Sequence, residues 1–348
     1  MSNKFFLVIA CAGILALLPG CSLLSIKDGG LGANGGKGIF FSSDRGANWQ
    51  ERNNLASSNE KINKANIHKL NFDFKDSRIL YAGTDKGLYY SDDSAVSWQI
   101  IFANINIDDF EISPNTRGII YVISGNGLHK TVDNGKNWNL VYTETEPGAR
   151  LEDVRVSHFD TSRVYILNSN GLLIRSTDWG DSWKFLYDFN VNTDELYINP
   201  KNSLEMYVHA QDGLYQTKDE GINWNEIIRG QSEYFSGIEE HKDLFFSLKS
   251  NNIYYLSRYG LLKSADRGSS WKEIKLISSA NSVDIKIIAL NPKNDDEIYY
   301  VVNNILYHTF DGGFNWQTKV LPVNDKIFVS QLLVDFYDPN NLYIGLSR

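Results

Sequence analysis

Four aspartates stand at the starts of alternating apolar stretches, and their carboxylates are the groups in this chain best placed to do chemistry. They are Asp109, Asp153, Asp194 and Asp284. If the fold brings two of them together, a carboxylate pair can supply the acid and the base or nucleophile of glycoside cleavage. A ring of such residues can instead attract a cation or a basic segment of a partner. The third interpretation is solvated charge that keeps strand ends soluble.

An eight-residue pattern, Ser/Thr-x-Asp-x-Gly-x-x-Trp, recurs seven times and sets the framework that must position these aspartates. We call each copy a repeat turn. The aspartate can accept hydrogen bonds from turn amides, the glycine tolerates a positive φ, and the tryptophan is a large apolar plug. These residues are therefore predicted to be structural: Asp44 and Trp49, Asp93 and Trp98, Asp133 and Trp138, Asp178 and Trp183, Asp219 and Trp224, Asp266 and Trp271, and Asp311 and Trp316.

The spacing of the repeat turns predicts an all-β fold, a seven-bladed β-propeller of four-stranded blades. Successive repeat-turn tryptophans lie between 40 and 49 residues apart, close to the roughly 40–50 residues of one blade. The chain begins with the third and fourth strands of a blade (38–52) and ends with a first and second strand (330–347). We expect these two half-blades to share one sheet and close the ring. One repeat turn has Ala95 in place of glycine and is expected to be strained or reshaped.

The repeat turn resembles the Asp-box (bacterial neuraminidase) repeat. That resemblance implies that the repeat turns lie on one rim and that binding uses the opposite face, which carries the loops between second and third strands and between blades. The blade that ends at Trp271 matches the repeat pattern least well. Its first two strands are expected at 244–249 and 253–257, and one long connection, 229–243, precedes it. The candidate binding face consists of Asp85, Asp109, Asp153, Asp194, Asp212, Tyr234, Phe235, Arg258, Tyr259 and Asp284.

The N-terminus has the features of a targeting segment. Lys4 precedes an apolar run from Phe5 to Leu18, which is shorter than the roughly 20 residues that span a bilayer. The run ends in Leu-Pro-Gly-Cys21, which resembles the lipobox of bacterial lipoproteins and implies cleavage before a diacylated Cys21. We therefore expect a signal peptide at 1–21, a flexible Gly/Ser-rich tether at 22–36 and the propeller at 37–348. The protein would then be held in the cell envelope, outside the cytoplasm. The alternative is an ordinary signal peptide with an incidental cysteine.

Several function classes lack support in the sequence. The formal net charge of −8 disfavours nucleic acid. Cys11 lies within the targeting segment, so neither a thiol nucleophile nor a Cys metal site is expected, and the six histidines show no ligand spacing. No phosphate-binding glycine loop and no Gly-x-Ser-x-Gly turn occur. We predict no catalytic residues, no metal and no cofactor.

The whole predicted propeller resembles the Asp-box propellers of photosystem II assembly factors and of sortilin, on repeats such as Leu80-Tyr81-Ala82-Gly83-Thr84. This resemblance implies a non-catalytic scaffold that binds a protein or peptide on the propeller face. Sialidases, which need three converging arginines, and two-propeller xyloglucan-cleaving enzymes fit less well. Glycan binding or a glycosidase activity remains the alternative.

Overall fold

The computed structural model describes residues 37–324 and 326–348, in which 28 strands form seven four-stranded antiparallel sheets. The predicted all-β, seven-bladed propeller is confirmed. The signal peptide, Cys21 and the 22–36 tether lie outside the described residues. Within the described residues, no helix has the length and apolar character needed to cross a membrane.

Blade 1 is built from both ends of the chain, as predicted. Its strands are β1 (Gly38–Ser42), β2 (Gln50–Glu51), β27 (Phe328–Val334) and β28 (Leu342–Ser347), in the order β2-β1-β28-β27. Strands β1 and β28 pair along five residues, with Phe40 opposite Ile344. The ring is therefore closed by backbone hydrogen bonds between residues about 300 positions apart, which leaves no free sheet edge at the junction.

The other six blades follow one another along the chain, and within each blade the strands run in sequence order from the innermost to the outermost. Blades 2 to 4 contain β3 (Ile67–Asp73), β4 (Asp76–Thr84), β5 (Gly87–Ser91), β6 (Gln99–Ala103), β7 (Asp109–Ile112), β8 (Ile120–Ser124), β9 (Gly127–Thr131), β10 (Asn139–Thr143), β11 (Leu151–Val156), β12 (Val164–Asn168), β13 (Leu172–Ser176) and β14 (Lys184–Asp188). Blades 5 to 7 contain β15 (Thr193–Ile198), β16 (Met206–Ala210), β17 (Gly213–Thr217), β18 (Asn225–Glu226), β19 (His241–Phe246), β20 (Ile253–Ser257), β21 (Leu261–Ser264), β22 (Lys272–Ile274), β23 (Ile287–Asn291), β24 (Asn294–Val302), β25 (Ile305–Thr309) and β26 (Gln317–Val320). Two short 3-10 helices, Ile62–Lys64 and Arg229–Gln231, lie in the loops.

The core lies between neighbouring sheets, because the second strand of each blade is covered on both faces. Every residue of β12 and of β20 is buried, whereas the outer strand β14 is exposed along most of its length. This gradient explains why the second strands are nearly continuous apolar runs while the outer strands include polar residues and are mostly exposed. In the blade that ends at Trp271, the first strand begins at His241, three residues earlier than predicted, because it starts with polar residues that face the channel.

Each repeat turn is held by the same set of hydrogen bonds. In the first copy the Ser42 hydroxyl donates to Asp44 Oδ1 (2.7 Å) and accepts from the Gly46 amide (2.8 Å). The Asn48 amide donates to Asp44 Oδ1 (2.8 Å) and its side chain to Oδ2 (2.7 Å). These bonds recur in the other six copies, so every repeat-turn aspartate is engaged by the backbone and side chains of its own turn.

The tryptophans do more than plug their own turn, because most of them tie one blade to the preceding blade. The Trp98 indole N–H donates to the carbonyl of Arg52 (2.8 Å), which directly follows the outer strand of blade 1. The indoles of Trp138, Trp183 and Trp316 make the equivalent bonds to Ile101, Val141 and Lys275. The repeat turns are therefore fasteners between blades as well as within them.

The alanine-containing turn is strained but keeps its shape. Ala95 has φ 63°, in the region that glycine occupies in the other copies, and its amide still donates to Ser91 Oγ (3.0 Å). The residue before it, Ser94, also has a positive φ of 60°. Two successive left-handed residues are common to all the repeat turns, a demand that the glycine alone did not reveal.

Candidate functional site

The innermost strands line a channel along the propeller axis, and five of them carry a β-bulge at the same position. The bulges precede Lys69, Asp153, Glu195, Asp243 and Gln331. A bulge inserts an extra residue and re-aims the side chain that follows it. The sequence predicts that Asp109 and Asp153 lie on the candidate binding face, but both are buried in the channel wall.

Asp109 is the centre of an ion cluster that joins blades 2, 3 and 4. Its Oδ1 accepts from Lys69 Nζ (2.6 Å), and its Oδ2 accepts from Arg155 Nη1 (3.2 Å) and from the Val154 amide (3.1 Å). Burial alone would raise the pKa of Asp109, but the charges of Lys69 and Arg155 outweigh it, so the pKa is lowered. Asp109 is therefore an ionised carboxylate whose oxygens are already occupied.

Asp153 continues the cluster into blade 5, and its pKa is shifted in the opposite direction to that of Asp109. Its Oδ2 accepts from the Leu196 amide (2.8 Å), and its Oδ1 lies against Arg155 Nη1 without an aligned hydrogen bond. Burial raises the pKa of Asp153 well above its usual range, and the neighbouring Asp109 charge acts in the same direction. The structure thus brings two of the four predicted aspartates together and shifts their pKa values in opposite directions.

A second buried network lies across blades 5 and 6. The Tyr197 hydroxyl contacts Glu195, Asp243 Oδ1 (3.1 Å) and His241 Nε2 (3.1 Å), and the His209 ring stacks on His241 at 4.1 Å. Burial raises the pKa of Asp243 to about 8, with the Glu195 charge adding to it, and burial lowers the pKa of His241. Histidine and aspartate are both expected to be neutral here at pH 7.

Glu111 is the carboxyl of the channel that has the fewest partners. It is 5% exposed, lines the channel, and makes no ion pair among the residues that the structure describes. Burial raises its pKa to about 7, against the lowering effect of Arg155. Glu111 therefore changes charge near neutral pH, which is the property expected of a group that responds to a ligand or a proton.

The channel widens into a funnel of about 690 Å³. Its floor contains Lys69, Glu111, Arg155 and Tyr197. Its rim is formed by one residue from each turn between first and second strands, which we call the collar. The collar consists of Phe74, Pro114, His158, Pro200, Leu248, Pro292 and Phe336, and all of these except Pro114 line the funnel. Burial lowers the pKa of His158, so its ring joins the collar in the neutral form.

The funnel opens at the end of the propeller that carries the repeat turns, because both kinds of turn connect strands at that end. Four collar residues are followed by exposed lysines that have no carboxylate partner within residues 37–324 and 326–348: Lys75, Lys201, Lys249 and Lys293. Lys75 and Lys293 donate to carbonyls of the next blade, at Asn115 (3.2 Å) and Tyr337 (2.6 Å). The Asn-Pro pairs at 199–200 and 291–292 are visible in the sequence, but by themselves they indicate only turns at strand ends. The signal that could have found the collar is an apolar residue or histidine after Ser, Asn or Asp in all seven blades.

The predicted binding face lies at the opposite end, and its acidic residues are individually engaged. Asp85 accepts from the Asn66 amide (2.9 Å), Asp194 contacts His209 Nδ1 (2.6 Å), and Asp212 pairs with Arg229 (2.9 Å). The structure does not gather these three with Asp109 and Asp153. Asp284 pairs with Lys242 (3.1 Å) and Lys286 (3.6 Å), and the hydrogen bond from Lys242 lowers its pKa.

The long 229–243 connection folds onto the propeller. Phe235 packs edge-on against Tyr259 at 5.1 Å, while Tyr234 remains 74% exposed. Arg258 approaches Glu240 at 3.5 Å. A crevice of about 10 Å³, room for about one water molecule, lies beside Arg258 and Tyr259. The use of this face in binding remains a prediction.

Within residues 37–324 and 326–348, no group of His, Cys, Asp and Glu side chains has the arrangement needed to hold a metal ion.

Comparison with known proteins places the chain by fold. No family model and no curated protein matches the sequence. Among solved structures, the GH74 enzyme of Niastella koreensis is similar with a TM-score of 0.64 and 14% identity, over 88% of this chain and 52% of the enzyme. This chain thus spans about half the length of that enzyme. YCF48 from Cyanidioschyzon merolae is similar with a TM-score of 0.63 and 13% identity, over 81% of this chain and 95% of YCF48. A structure of YCF48 bound to D1 peptide is similar with a TM-score of 0.59 and 15% identity, over 81% of this chain and 93% of that YCF48 chain.

Proposed function

We propose that this protein is a non-catalytic binding scaffold and that a polypeptide segment of a partner occupies the funnel at the collar end of the channel. The observation that carries the proposal is the funnel itself. Its volume of about 690 Å³ falls in the range of ligand sites, roughly 300–1,000 Å³, and its walls are mainly apolar. Phe74, Leu248 and Phe336 offer the apolar surface on which interface anchors pack.

The charges around the collar indicate the chemistry of that segment. The exposed lysines Lys75, Lys201, Lys249 and Lys293 have no carboxylate partner among the described residues. Acidic residues flanking an apolar anchor would complement them and speed association. The fold likeness to YCF48, one structure of which holds a D1 peptide, supports a peptide-binding role for a propeller of this kind.

Cross-linking in the native cell tests the proposal. A photoreactive phenylalanine analogue replaces Leu248, which is 52% exposed at the collar, and in a second strain it replaces Val320, which is 81% exposed on the outer strand β26. We expect one protein to be cross-linked from position 248 and not from position 320. Fragments of that protein are then titrated against the purified propeller.

The titration decides the outcome. Leu248→Asp should weaken binding of the fragment by at least about tenfold, because it places a charge in the apolar collar, whereas Val320→Asp should leave it unchanged. Equal binding by both variants would refute the funnel as the site.

The membrane anchor is a separate part of the proposal. A diacylated Cys21 would hold the propeller at a bacterial membrane facing outside the cytoplasm, since two acyl chains anchor far more stably than one. Mass spectrometry of the mature N-terminus and membrane fractionation test it. Cys21→Ser should release the protein from the membrane fraction. Continued membrane association of that variant would rule out the lipid anchor.

A glycoside hydrolase function is the second candidate, and one observation favours it. Glu111, with a pKa raised by burial to about 7, stands two residues from the ionised Asp109, and pairs with separated pKa values are typical of acid–base sites. Against it, Asp109 is fully engaged by Lys69, Arg155 and the Val154 amide. Hydrolysis of any member of an oligosaccharide panel that disappears in Glu111→Gln would establish the enzyme and refute the scaffold.

A further inference from the structure

A tyrosine stands at the same register in the second strand of every blade and faces the gap to the next blade. The seven are Tyr81, Tyr121, Tyr165, Tyr207, Tyr254, Tyr299 and Tyr343. All are buried, so each hydroxyl needs a partner inside its gap. The seven gaps can therefore be compared directly.

In three gaps the partner is a glutamate carboxylate that also pairs with an arginine. The Tyr207 hydroxyl donates to Glu205 (2.5 Å) and the Tyr299 hydroxyl to Glu297 (2.6 Å). Arg45 of the next blade pairs with Glu297 at 2.9 Å. The Tyr165 hydroxyl donates to Glu220 (3.0 Å), which pairs with Arg163. In the gap of Tyr207, Arg267 lies 3.6 Å from Glu205. Tyrosine hydroxyl, carboxylate and guanidinium are thus a recurrent trio of this propeller.

Two other gaps use a backbone carbonyl instead. The Tyr121 hydroxyl donates to the carbonyl of Trp179 (2.8 Å), and the Tyr254 hydroxyl donates to that of Asp295 (3.2 Å). These gaps show that a second solution exists when no glutamate is present.

The two remaining gaps have neither solution: in the gap between blades 1 and 2 the Tyr343 hydroxyl lies near the Ser94 side chain, and the gap between blades 2 and 3 is an open cleft. Tyr81 is only 3% exposed, and its hydroxyl has no hydrogen-bond partner among the described residues. The residue two positions earlier, which is glutamate in blades 5 and 7, is Ile79 here. A cleft of about 560 Å³ occupies the gap, lined by Tyr81, Tyr90, Ile79, Arg117 and Lys136 among others. A hydroxyl donor therefore faces an open cleft at the position where three of its counterparts meet a carboxylate.

The charges lining this cleft suit an incoming carboxylate. Arg117 reaches the cleft from the turn between the inner strands of blade 3, and Lys136 comes from its repeat turn. Asp73 also lines the cleft and opposes an anion, but Arg117 lies 4.0 Å from its Oδ1 and offsets it. Burial raises the pKa of Tyr81, so its hydroxyl remains a donor at neutral pH.

We propose that the cleft between blades 2 and 3 binds a glutamate side chain of a partner polypeptide. The carboxylate accepts from the Tyr81 hydroxyl and pairs with Arg117, as Glu297 does with Tyr299 and Arg45. The methylene stem lies against Ile79 and Ile101, which line the cleft. That the glutamate comes from a polypeptide rests on the proposed function. Asp73 lines both the cleft and the funnel, so one acidic partner could reach both.

A nuclear magnetic resonance titration of the mature protein tests this site without any knowledge of the partner. The protein is labelled with ¹³C at the phenolic carbon of tyrosine, and Tyr81→Phe assigns the Tyr81 signal. The probe is N-acetyl-glutamate methylamide, which has one carboxylate, and the matched control is its glutamine counterpart. We expect the Tyr81 signal to shift with a dissociation constant on the order of millimolar for the acid, at least about tenfold tighter than for the amide.

Two variants sharpen the result. Ile79→Glu supplies the missing carboxylate from within and should abolish the shift, whereas Ile119→Glu in blade 3, where Tyr121 already bonds Trp179, should leave it unchanged. If Ile79→Glu does not fold, Arg117→Gln replaces it and should weaken binding by about tenfold. A Tyr81 signal that does not respond to the acid would overturn the site, even if the funnel binds its partner. Tighter binding of methyl glucuronide than of the glutamate probe would overturn the polypeptide assignment.

Discussion

The seven repeat turns and the five bulged positions of the channel wall are two sets of equivalent positions that have been used in opposite ways. Every repeat turn has the same hydrogen bonds around its aspartate, from Asp44 to Asp311. The channel positions after the bulges instead carry Lys69, Asp153, Glu195, Asp243 and Gln331. Uniformity therefore indicates where the molecule needs only architecture, and divergence on an identical backbone indicates where it can recognise something.

The comparison is tested most strongly by removing one fastener. Trp98 is fully buried and its indole donates to the Arg52 carbonyl, so Trp98→Ala should lower the free energy of unfolding by about 3–5 kcal/mol. Chemical denaturation measures this. Val96→Ala, which truncates a side chain of the same turn that is 46% exposed, is the control and should change stability by less than about 0.5 kcal/mol. Similar losses in both variants would contradict the fastener role.

A channel residue should show the opposite behaviour. The folded-state pKa of Glu111 is raised by burial to about 7 from an ordinary 4.5, so folding favours its protonated form. Its neutral form is fully accommodated below pH 4.5, and stability is lost as the pH rises through 7. Glu111→Gln should therefore stabilise the protein by roughly 3 kcal/mol at pH 8 and have little effect at pH 4. Unfolding measured at both pH values checks this; equal effects would disprove the shifted pKa.

The inter-blade tyrosines allow a matched pair of substitutions. Tyr299→Phe removes a hydroxyl that donates to the buried Glu297, and it should cost about 1.5–3 kcal/mol. Tyr81→Phe removes a hydroxyl without a partner among the described residues, so its effect should be within about 0.5 kcal/mol of zero or stabilising. Thermal unfolding of the two variants side by side decides the matter. A larger loss at Tyr81 would mean that its hydroxyl is already satisfied.

The smallest expected effect comes from the strained turn. Ala95→Gly should stabilise the protein by up to about 1 kcal/mol, because a left-handed alanine costs about 1–2 kcal/mol and part of that gain is offset by the lost methyl contact. The reciprocal change, Gly135→Ala, should destabilise, since its Cβ would lie 2.8 Å from Ile101 Cβ. Differential scanning calorimetry of both variants measures this pair. Destabilisation by Ala95→Gly would show that the methyl packing outweighs the strain.

The sequence was sufficient to predict the seven blades and the closure of blade 1, because a periodic pattern of residues specifies a periodic structure. It could not predict that Asp109 and Asp153 are buried. Their burial depends on the bulge before Asp153 and on ion pairs with Lys69 and Arg155. Lys69 lies 40 residues from Asp109 in the sequence, and Arg155 follows Asp153 on the same strand, so no periodic pattern indicates either pairing. The collar escaped notice since its members share a position and not a residue type. The empty gap at Tyr81 is visible only by contrast with gaps that are full.

The pairing of β1 with β28 has a consequence for how the protein is made. Residues 38–42 can find their partners only when residues 342–346 are present, so nearly the whole chain must have left the ribosome, and crossed any membrane on its route, before the ring can shut. Until then β1 keeps an unpaired edge, and pairings so distant in the chain are slow to form. A chain truncated before Leu342 should therefore aggregate with other copies of itself instead of forming a smaller soluble propeller.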